Sequence, residues 1–255
     1  MIISNTSKIT SDRFCCLIVG ESSSGKTFSA STLDHDKTLI LTAESGLLSL
    51  NKFSIDAFDI TKDDNGNQLF SSIEKMNRIK EFFGFISSPD GKKYKNIFVD
   101  SLTAISEIFV KYVEESNPKL ADPKNSLMKW GQYNSEFSNF VKLIRDMPYY
   151  NVFFTCLSKK EKDGLVMHDE FLISGEQSKV NLKSWFDEVF YLKIFDLEDG
   201  TKKRFFITDY CEHRLAKDRS GLLEKYELPD LNNIINKILG ERKWLTNFYH
   251  QLIGQ

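Results

Sequence analysis

The sequence has 255 residues, enough for one large α/β domain with a buried core. Its formal net charge of −2 excludes the overall basic excess that many nucleic-acid-binding proteins have. No signal peptide is expected at the amino terminus, and no apolar run approaches the roughly 18 residues that span a bilayer. We therefore expect a cytoplasmic protein that has no membrane partner. The cysteines show no metal-ligand spacing and are expected to be buried thiols; they are Cys15, Cys16, Cys156 and Cys211.

Short apolar runs that alternate with charged, helix-like segments predict an α/β fold with a mostly parallel sheet flanked by helices. The predicted strands are Phe14–Val19, Lys37–Thr42, Lys95–Asp100 and Asn151–Leu157. The predicted helices are Lys26–Leu33, Ser71–Phe83, Ala104–Glu115 and Tyr133–Asp146.

The remaining segments contain turn residues, prolines or dense charge. Residues 51–66 and 116–130 are predicted to be irregular, and Ser158–Gly164 is predicted to be a charged, mobile segment. The pattern then changes: Glu188–Phe195 and Lys203–Thr208 flank a turn signal at residues 198–200, which indicates an antiparallel hairpin. The tail from Asp230 to Ile253 is predicted to be helical.

A complete Walker A sequence lies between the first predicted strand and the first predicted helix; it is Gly20, Glu21, Ser22, Ser23, Ser24, Gly25, Lys26 and Thr27. In such a loop the backbone N–H groups surround a phosphate, the lysine reaches the β- and γ-phosphates, and the hydroxyl of the last residue binds Mg²⁺. We therefore expect a nucleotide site formed by these residues and the adjacent Phe28, with ATP and Mg²⁺ as its ligands. The sequence leaves open whether the nucleotide is ATP or another triphosphate.

Two acidic residues lie at the ends of predicted strands. The run Asn96–Asp100 is typical of a Walker B strand, so Asp100 is expected to hold Mg²⁺, and Ser101 is expected to contact its water shell or the γ-phosphate. Glu44 follows the second strand, where a carboxylate can accept a proton from a water molecule in line with the γ-phosphate. The alternative for Glu44 is a glutamate that caps a helix or solvates a loop.

These segments resemble RecA-type proteins. GESSSGKT is similar to the RecA-type Walker A, NIFVDSLTAI to its Walker B, and LILTAESGL places Glu44 where RecA-like proteins have the acid that activates water. Ala216–Gly221 (AKDRSG) resembles a basic segment of DnaB-type helicases and RadA-like proteins that reaches the γ-phosphate of a neighbouring subunit. The resemblance gives this catalytic role to Lys217 and Arg219; the alternative is a solvated basic turn.

Over roughly residues 14–225 the chain looks most like phage-encoded RecA-like single-strand annealing proteins of the Sak group, and it also matches them at residues 130–133 and 185–189. The resemblance implies one RecA-like P-loop NTPase domain, with a core over about residues 12–225 and a helical tail over about 226–255. It further implies head-to-tail assembly with ATP at the subunit interface, and action on single-stranded DNA in the host-cell cytoplasm. A single-strand binding protein is a candidate partner.

The fourth predicted strand departs from that pattern. RecA-like proteins have a polar sensor residue, often His or Gln, at its end, whereas this chain has Cys156, Leu157 and Ser158. Either Ser158 takes that role or the sensor is absent.

Candidate DNA contacts are the lysines of two expected loops, which can neutralise phosphates, and nearby aromatic residues that can stack on bases. The lysines are Lys119, Lys124, Lys129, Lys159, Lys160 and Lys162, and the aromatic residues are Trp130, Tyr133 and Phe171. Acidic neighbours dilute the charge, so solvated loops are the alternative. His168 and His213 have no partner pattern.

Two rival functions remain open. A small-molecule kinase also uses a P-loop, although we find no arginine-rich lid in the sequence. A nucleotide-dependent assembly or loading switch binds ATP without significant turnover, and the missing sensor favours it.

Overall fold

The computed structural model describes residues 13–44, 46–209 and 215–240. The strands are β1 (Cys15–Gly20), β2 (Thr38–Thr42), β3 (Asp56–Asp59), β4 (Asn96–Asp100), β5 (Asn151–Asp163), β6 (Val166–Phe171), β7 (Glu188–Asp196), β8 (Lys202–Ile207), β9 (Lys217–Asp218) and β10 (Tyr226–Glu227). The α-helices are α1 (Ser72–Ser87), α2 (Leu102–Ser116), α3 (Ser126–Arg145), α4 (Glu176–Leu182) and α5 (residues 231–240). Short 3-10 helices lie at Thr27–Thr32, His35–Lys37, Gly46–Leu50, Gly91–Lys93, Pro118–Ala121, Pro123–Asn125 and Lys183–Trp185.

The strands form one mixed sheet in the order β10-β8-β7-β1-β5-β4-β2-β3. The six strands from β7 to β3 in that order are parallel, so their carboxyl ends meet at one edge. β8 and β10 extend the sheet in antiparallel orientation, and β6 and β9 pair antiparallel with β5 and β7. The α/β fold class with a mostly parallel sheet and a late antiparallel extension is confirmed.

The core consists of two apolar layers, one on each face of the sheet. Alternate strand residues point to opposite faces because the side-chain period of a strand is two. Leu17 and Val99 belong to the layer that α1, α2 and α3 cover, whereas Ile18 and Phe98 belong to the layer that α5 covers. The central strands are therefore buried on both faces, which explains their continuous apolar sequences.

The segment after the P-loop is a short 3-10 helix and not the predicted α-helix over Lys26–Leu33. Its hydroxyl groups explain the difference, since Ser29 Oγ donates to the Lys26 carbonyl at 2.6 Å and Thr32 Oγ1 donates to the Ser29 carbonyl at 2.7 Å. Side chains that bond to nearby carbonyls in this way compete with the regular helical pattern.

Three other expectations were wrong. Residues 51–66 include the edge strand β3, and α3 begins at Ser126, within the segment expected to be a loop. The expected mobile segment Ser158–Gly164 instead continues β5 and turns into β6, forming a regular antiparallel ribbon.

Other expectations were confirmed within the described residues. The hairpin of β7 and β8 is present, and Cys15, Cys16 and Cys156 are buried free thiols. The predicted helix over Asp230–Ile253 is present at residues 231–240, and its remainder lies outside the described residues, as do Cys211 and His213. Among the described helices, none is long and apolar enough to cross a membrane.

Candidate functional site

The P-loop leaves the carboxyl end of β1 and folds tightly against the β7–β8 hairpin. A Cβ atom at Gly20 would lie 2.7 Å from the carbonyl oxygen of Leu192, so only glycine fits there. Gly25 has a φ of +107°, which is also a conformation that side chains disfavour. The two fixed glycines of the motif therefore have direct structural reasons in this chain.

Lys26 bends back over this loop. Its Nζ donates hydrogen bonds to the carbonyl oxygens of Gly20 at 2.9 Å and Glu21 at 2.8 Å, and the residue is 8% exposed. Burial lowers the pKa of the ammonium group, while the carboxylates of Asp100 and Glu44 oppose that shift. A buried cation of this kind is suited to bind an anionic phosphate chain.

Asp100 links three segments at the carboxyl edge of the sheet. Thr27 Oγ1 donates to its Oδ2 at 2.8 Å, and Thr155 Oγ1 on β5 donates to its Oδ1 at 2.5 Å. Burial raises the pKa of the Asp100 carboxyl, and the two hydroxyl donors lower it. Because β5 lies between β1 and β4, its residue Thr155 reaches the carboxylate that the P-loop threonine also contacts.

Glu44 and Ser101 form a second polar pair beside Asp100. Ser101 Oγ donates a hydrogen bond to Glu44 Oε1 and also caps α2 by accepting from the Ala104 N–H at 3.3 Å. The Thr42 hydroxyl donates to the Glu44 carbonyl at 2.7 Å, which fixes the backbone where β2 ends. The carboxylate of Glu44 is therefore held next to the end of β4.

These groups line one cleft of about 630 Å³. It is bounded by Ser22, Ser23, Gly25, Lys26, Thr27, Phe28, Glu44, Gly46, Ser49, Asp100, Ser101, Leu157 and Arg204. Beside it, the buried hydroxyl of Ser24 has no hydrogen-bond partner within the described residues. An unpaired buried hydroxyl and a glycine-shaped loop fit a phosphate chain, and the Thr27 hydroxyl with the Asp100 carboxylate fits Mg²⁺, which prefers oxygen ligands.

Most of the sequence-predicted site residues therefore come together here, including Glu44 from a different strand. Sequence reasoning missed Thr155 and Arg204. Thr155 was signalled only as a single polar residue within the apolar run NVFFTCL. Arg204 had no signal, because its position depends on how β8 packs beside the P-loop.

Lys217 and Arg219 lie at the opposite edge of the sheet from this chain's P-loop. β9 pairs with the first residues of β7, and these lie beside Cys16 near the start of β1. The P-loop begins at Gly20, at the other end of β1. Lys217 Nζ donates to the Phe186 carbonyl at 2.5 Å, and Arg219 pairs with Asp187. Their action on the γ-phosphate of a neighbouring subunit stays a prediction.

The structure also shows the contacts of the β5 residues where a sensor residue is expected. Leu157 lines the cleft, whereas the hydroxyl of Ser158 lies 3.4 Å from the Tyr191 hydroxyl, in hydrogen-bond contact with it. Thr155, two residues before Leu157, is the polar group of β5 that contacts Asp100. Ser158 therefore does not line the cleft, and Thr155 is the β5 residue joined to the site.

Several of the residues expected to contact DNA are buried or form ion pairs within the protein. Tyr133 is fully buried and Phe171 is 2% exposed, so the expectation that they stack on bases was wrong. Lys160 pairs with Asp169 at 2.6 Å. Lys159 pairs with Glu161 and Glu170, and Lys129 pairs with Glu114. Lys119, Lys124 and Lys162 are exposed, and Trp130 is half-buried.

A glycine-shaped loop, a buried lysine and a threonine bonded to the acid at the end of another parallel strand define a P-loop nucleotide-binding protein. Residues 12–220 match the family model described as AAA domain, and the chain belongs to this family. AAA proteins are in general nucleotide-binding ATPases that usually use Mg²⁺. A search of curated proteins finds no match to this sequence.

Proposed function

We propose that this protein hydrolyses ATP in a Mg²⁺-dependent reaction. The observation behind the proposal is the joint placement of the Thr27–Asp100 and Ser101–Glu44 hydrogen bonds on one cleft with Lys26. The two pairs separate the roles of the carboxylates: Asp100 is buried and bonded to two hydroxyl groups, whereas Glu44 is exposed at the cleft surface.

Each residue has a distinct role in this reaction. Lys26 binds the β- and γ-phosphates, and Thr27 with Asp100 holds Mg²⁺, which neutralises phosphate charge when it is bound. Glu44 orients a water molecule and takes its proton as the water oxygen bonds to the γ-phosphorus. The bond from that phosphorus to the β–γ bridging oxygen breaks, and ADP leaves with its electron pair. Ser101 positions the Glu44 carboxylate.

The test measures ATP binding by calorimetry and ATP turnover in parallel. Glu44→Gln should retain binding and lose turnover by about 100-fold or more, the usual scale when a base and its charge stabilisation are removed. Lys26→Ala should weaken binding itself. Glu107→Gln, an exposed carboxylate on α2, is the matched control and should behave as wild type. Binding without turnover in the wild type would contradict hydrolysis and favour the assembly switch.

We further propose that ATP turnover is coupled to single-stranded DNA in phage recombination, repair or replication, as the resemblance to the Sak group suggests. The supporting observation is the continuity of β5, which contacts Asp100 through Thr155 and then extends into the β5–β6 ribbon. The ribbon and the segment before α3 present exposed lysines at Lys119, Lys124 and Lys162. In this proposal the subunits assemble head to tail, and a single-strand binding protein is a partner.

The test is the ATPase rate with and without single-stranded DNA over a range of salt concentrations. Stimulation that fades with salt and is absent in Lys26→Ala would support coupling, since phosphate contacts are salt-dependent. Lys162→Ala should weaken stimulation, whereas Lys92→Ala, exposed after α1 and far from the ribbon in sequence, is the control. An ATP turnover rate that is independent of DNA but rises with a small-molecule phosphate acceptor would indicate the kinase alternative.

A further inference from the structure

The β7–β8 hairpin extends past the end of β1 and lies beside the P-loop. Tyr191 is in register with Val19, so the later residues of β7 continue beyond the point where β1 gives way to the loop. Arg204 on β8 pairs with Ile194 in this extended part. A residue distant in sequence from the Walker A motif is thereby placed next to it.

Arg204 is anchored to the P-loop through one nitrogen only. Its Nε donates to the Ser24 carbonyl at 2.9 Å, the one hydrogen bond that the side chain makes within the described part of the chain. The same nitrogen lies 3.1 Å from where a Cβ of Gly25 would be, so the side chain packs directly over this glycine. The guanidinium group lines the nucleotide cleft, and within the described residues neither terminal nitrogen donates a hydrogen bond, so both can donate to a ligand.

The order of the strands defines the two ends of the cleft. Asp100 is the last residue of β4 and Glu44 follows β2, and both strands lie on one side of β1. Arg204 is on β8, on the other side of β1. Since Thr27, Asp100 and Glu44 mark the γ-phosphate end of the nucleotide, the hairpin side is the end where the phosphate chain joins the nucleoside.

We propose that Arg204 binds the α-phosphate of the nucleotide through its terminal nitrogens; this inference rests on the nucleotide site proposed above. A planar guanidinium fork suits two phosphate oxygens, and the bond from Nε to Ser24 holds it in place before the nucleotide arrives. Arg204 then complements Lys26, which binds the opposite end of the same phosphate chain. The α-phosphate is common to ATP and ADP, so the contact contributes to the binding of both.

The experiment measures the affinity of the full chain for Mg-ATP and Mg-ADP by calorimetry at several salt concentrations. Arg204→Ala should weaken both nucleotides by a similar factor, about 10- to 100-fold, as expected for a lost hydrogen bond to a charged group. Arg204→Gln retains an N–H donor for Ser24 but has no charge, and should show most of the same loss. The dependence of affinity on salt should become shallower in both variants. Lys203→Ala, the exposed neighbour on the same strand, should bind as wild type.

The alternative results separate this inference from the proposed function. A loss confined to ATP would move the contact to the γ-phosphate and overturn the assignment. Wild-type affinity in Arg204→Gln with an unchanged salt dependence would show that the residue only shapes the loop. An equal loss of adenosine binding would indicate a contact to the nucleoside instead. If the wild type binds neither nucleotide, or Lys26→Ala changes nothing, the nucleotide site itself is wrong.

Discussion

Thr27 Oγ1 donates a hydrogen bond to Asp100 Oδ2 at 2.8 Å, which joins the last residue of the Walker A sequence to the end of β4. The strand between β1 and β4 adds a second donor to the same carboxylate through Thr155. The two oxygen ligands expected for Mg²⁺ are therefore already in contact, and their arrangement depends on three separate strands.

Asp100→Asn tests the role of this carboxylate. The amide keeps the shape of the side chain but loses the negative charge that holds Mg²⁺, so turnover should fall about 100-fold and require more Mg²⁺. Because burial raises the pKa of Asp100, the neutral amide should also stabilise the nucleotide-free protein by removing a buried charge. ATPase assays over a range of Mg²⁺ concentrations and thermal unfolding measure the two effects. Wild-type turnover in the variant would contradict the assignment.

Thr155→Val tests the donor from β5. The valine has a similar shape but no hydroxyl, so the pKa of Asp100 should rise further and the acidic limb of the ATPase pH profile should move to higher pH. We expect a loss of turnover of about 10-fold, the scale of one hydrogen bond to a charged group. Thr155→Ser retains the donor and should keep the wild-type profile. An unchanged acidic limb in Thr155→Val would show that this bond does not tune Asp100.

The parallel sheet and the nucleotide site were largely predictable because both depend on local sequence. Buried parallel strands give continuous apolar runs, and the Walker A motif fixes its own loop. By contrast, β3 is a short edge strand, Asp56–Asp59, whose residues are half-buried or exposed and have little apolar pattern. The start of α3 could not be predicted from the apolar pattern, because Leu127 and Met128 are exposed and disrupt the helical period.

The β5–β6 ribbon had a sequence signal that was not recognised. Asp163 and Val166 pair across a two-residue turn whose first residue is Gly164, with a φ of +60°. A glycine at the first of the two turn residues is typical of such tight hairpins. The position of Arg204, by contrast, required the three-dimensional structure, since no local pattern indicates which strand packs beside the P-loop.

Glu188→Gln tests a buried acid that lies beside the half-buried Asp218, in contact with the segment that contains Lys217 and Arg219. Burial and the neighbouring Asp218 raise the pKa of Glu188 from 4.5 to about 8. The folded protein therefore keeps a proton that the unfolded chain has lost in this range, so this contribution to stability is complete below 4.5 and is lost as the pH rises towards 8. Glutamine does not titrate, so the variant should lose less stability than wild type from about pH 5 to about pH 8. Urea unfolding across this range measures the difference, and a difference that is constant with pH would contradict the raised pKa of Glu188.

Mixing two inactive variants tests whether Arg219 acts on a neighbouring subunit. Its side chain is exposed, pairs with Asp187 and lies at the edge of the sheet opposite this chain's P-loop, so it can reach a γ-phosphate only in another subunit. Arg219→Ala and Lys26→Ala should each lack turnover alone. In an equal mixture, sites that combine an intact P-loop with an intact neighbouring arginine should restore about one quarter of the wild-type rate. The control is Lys26→Ala mixed with itself, which should stay inactive. No recovery in mixtures that exchange subunits, or full activity of Arg219→Ala alone, would leave Arg219 as a residue of a solvated basic turn.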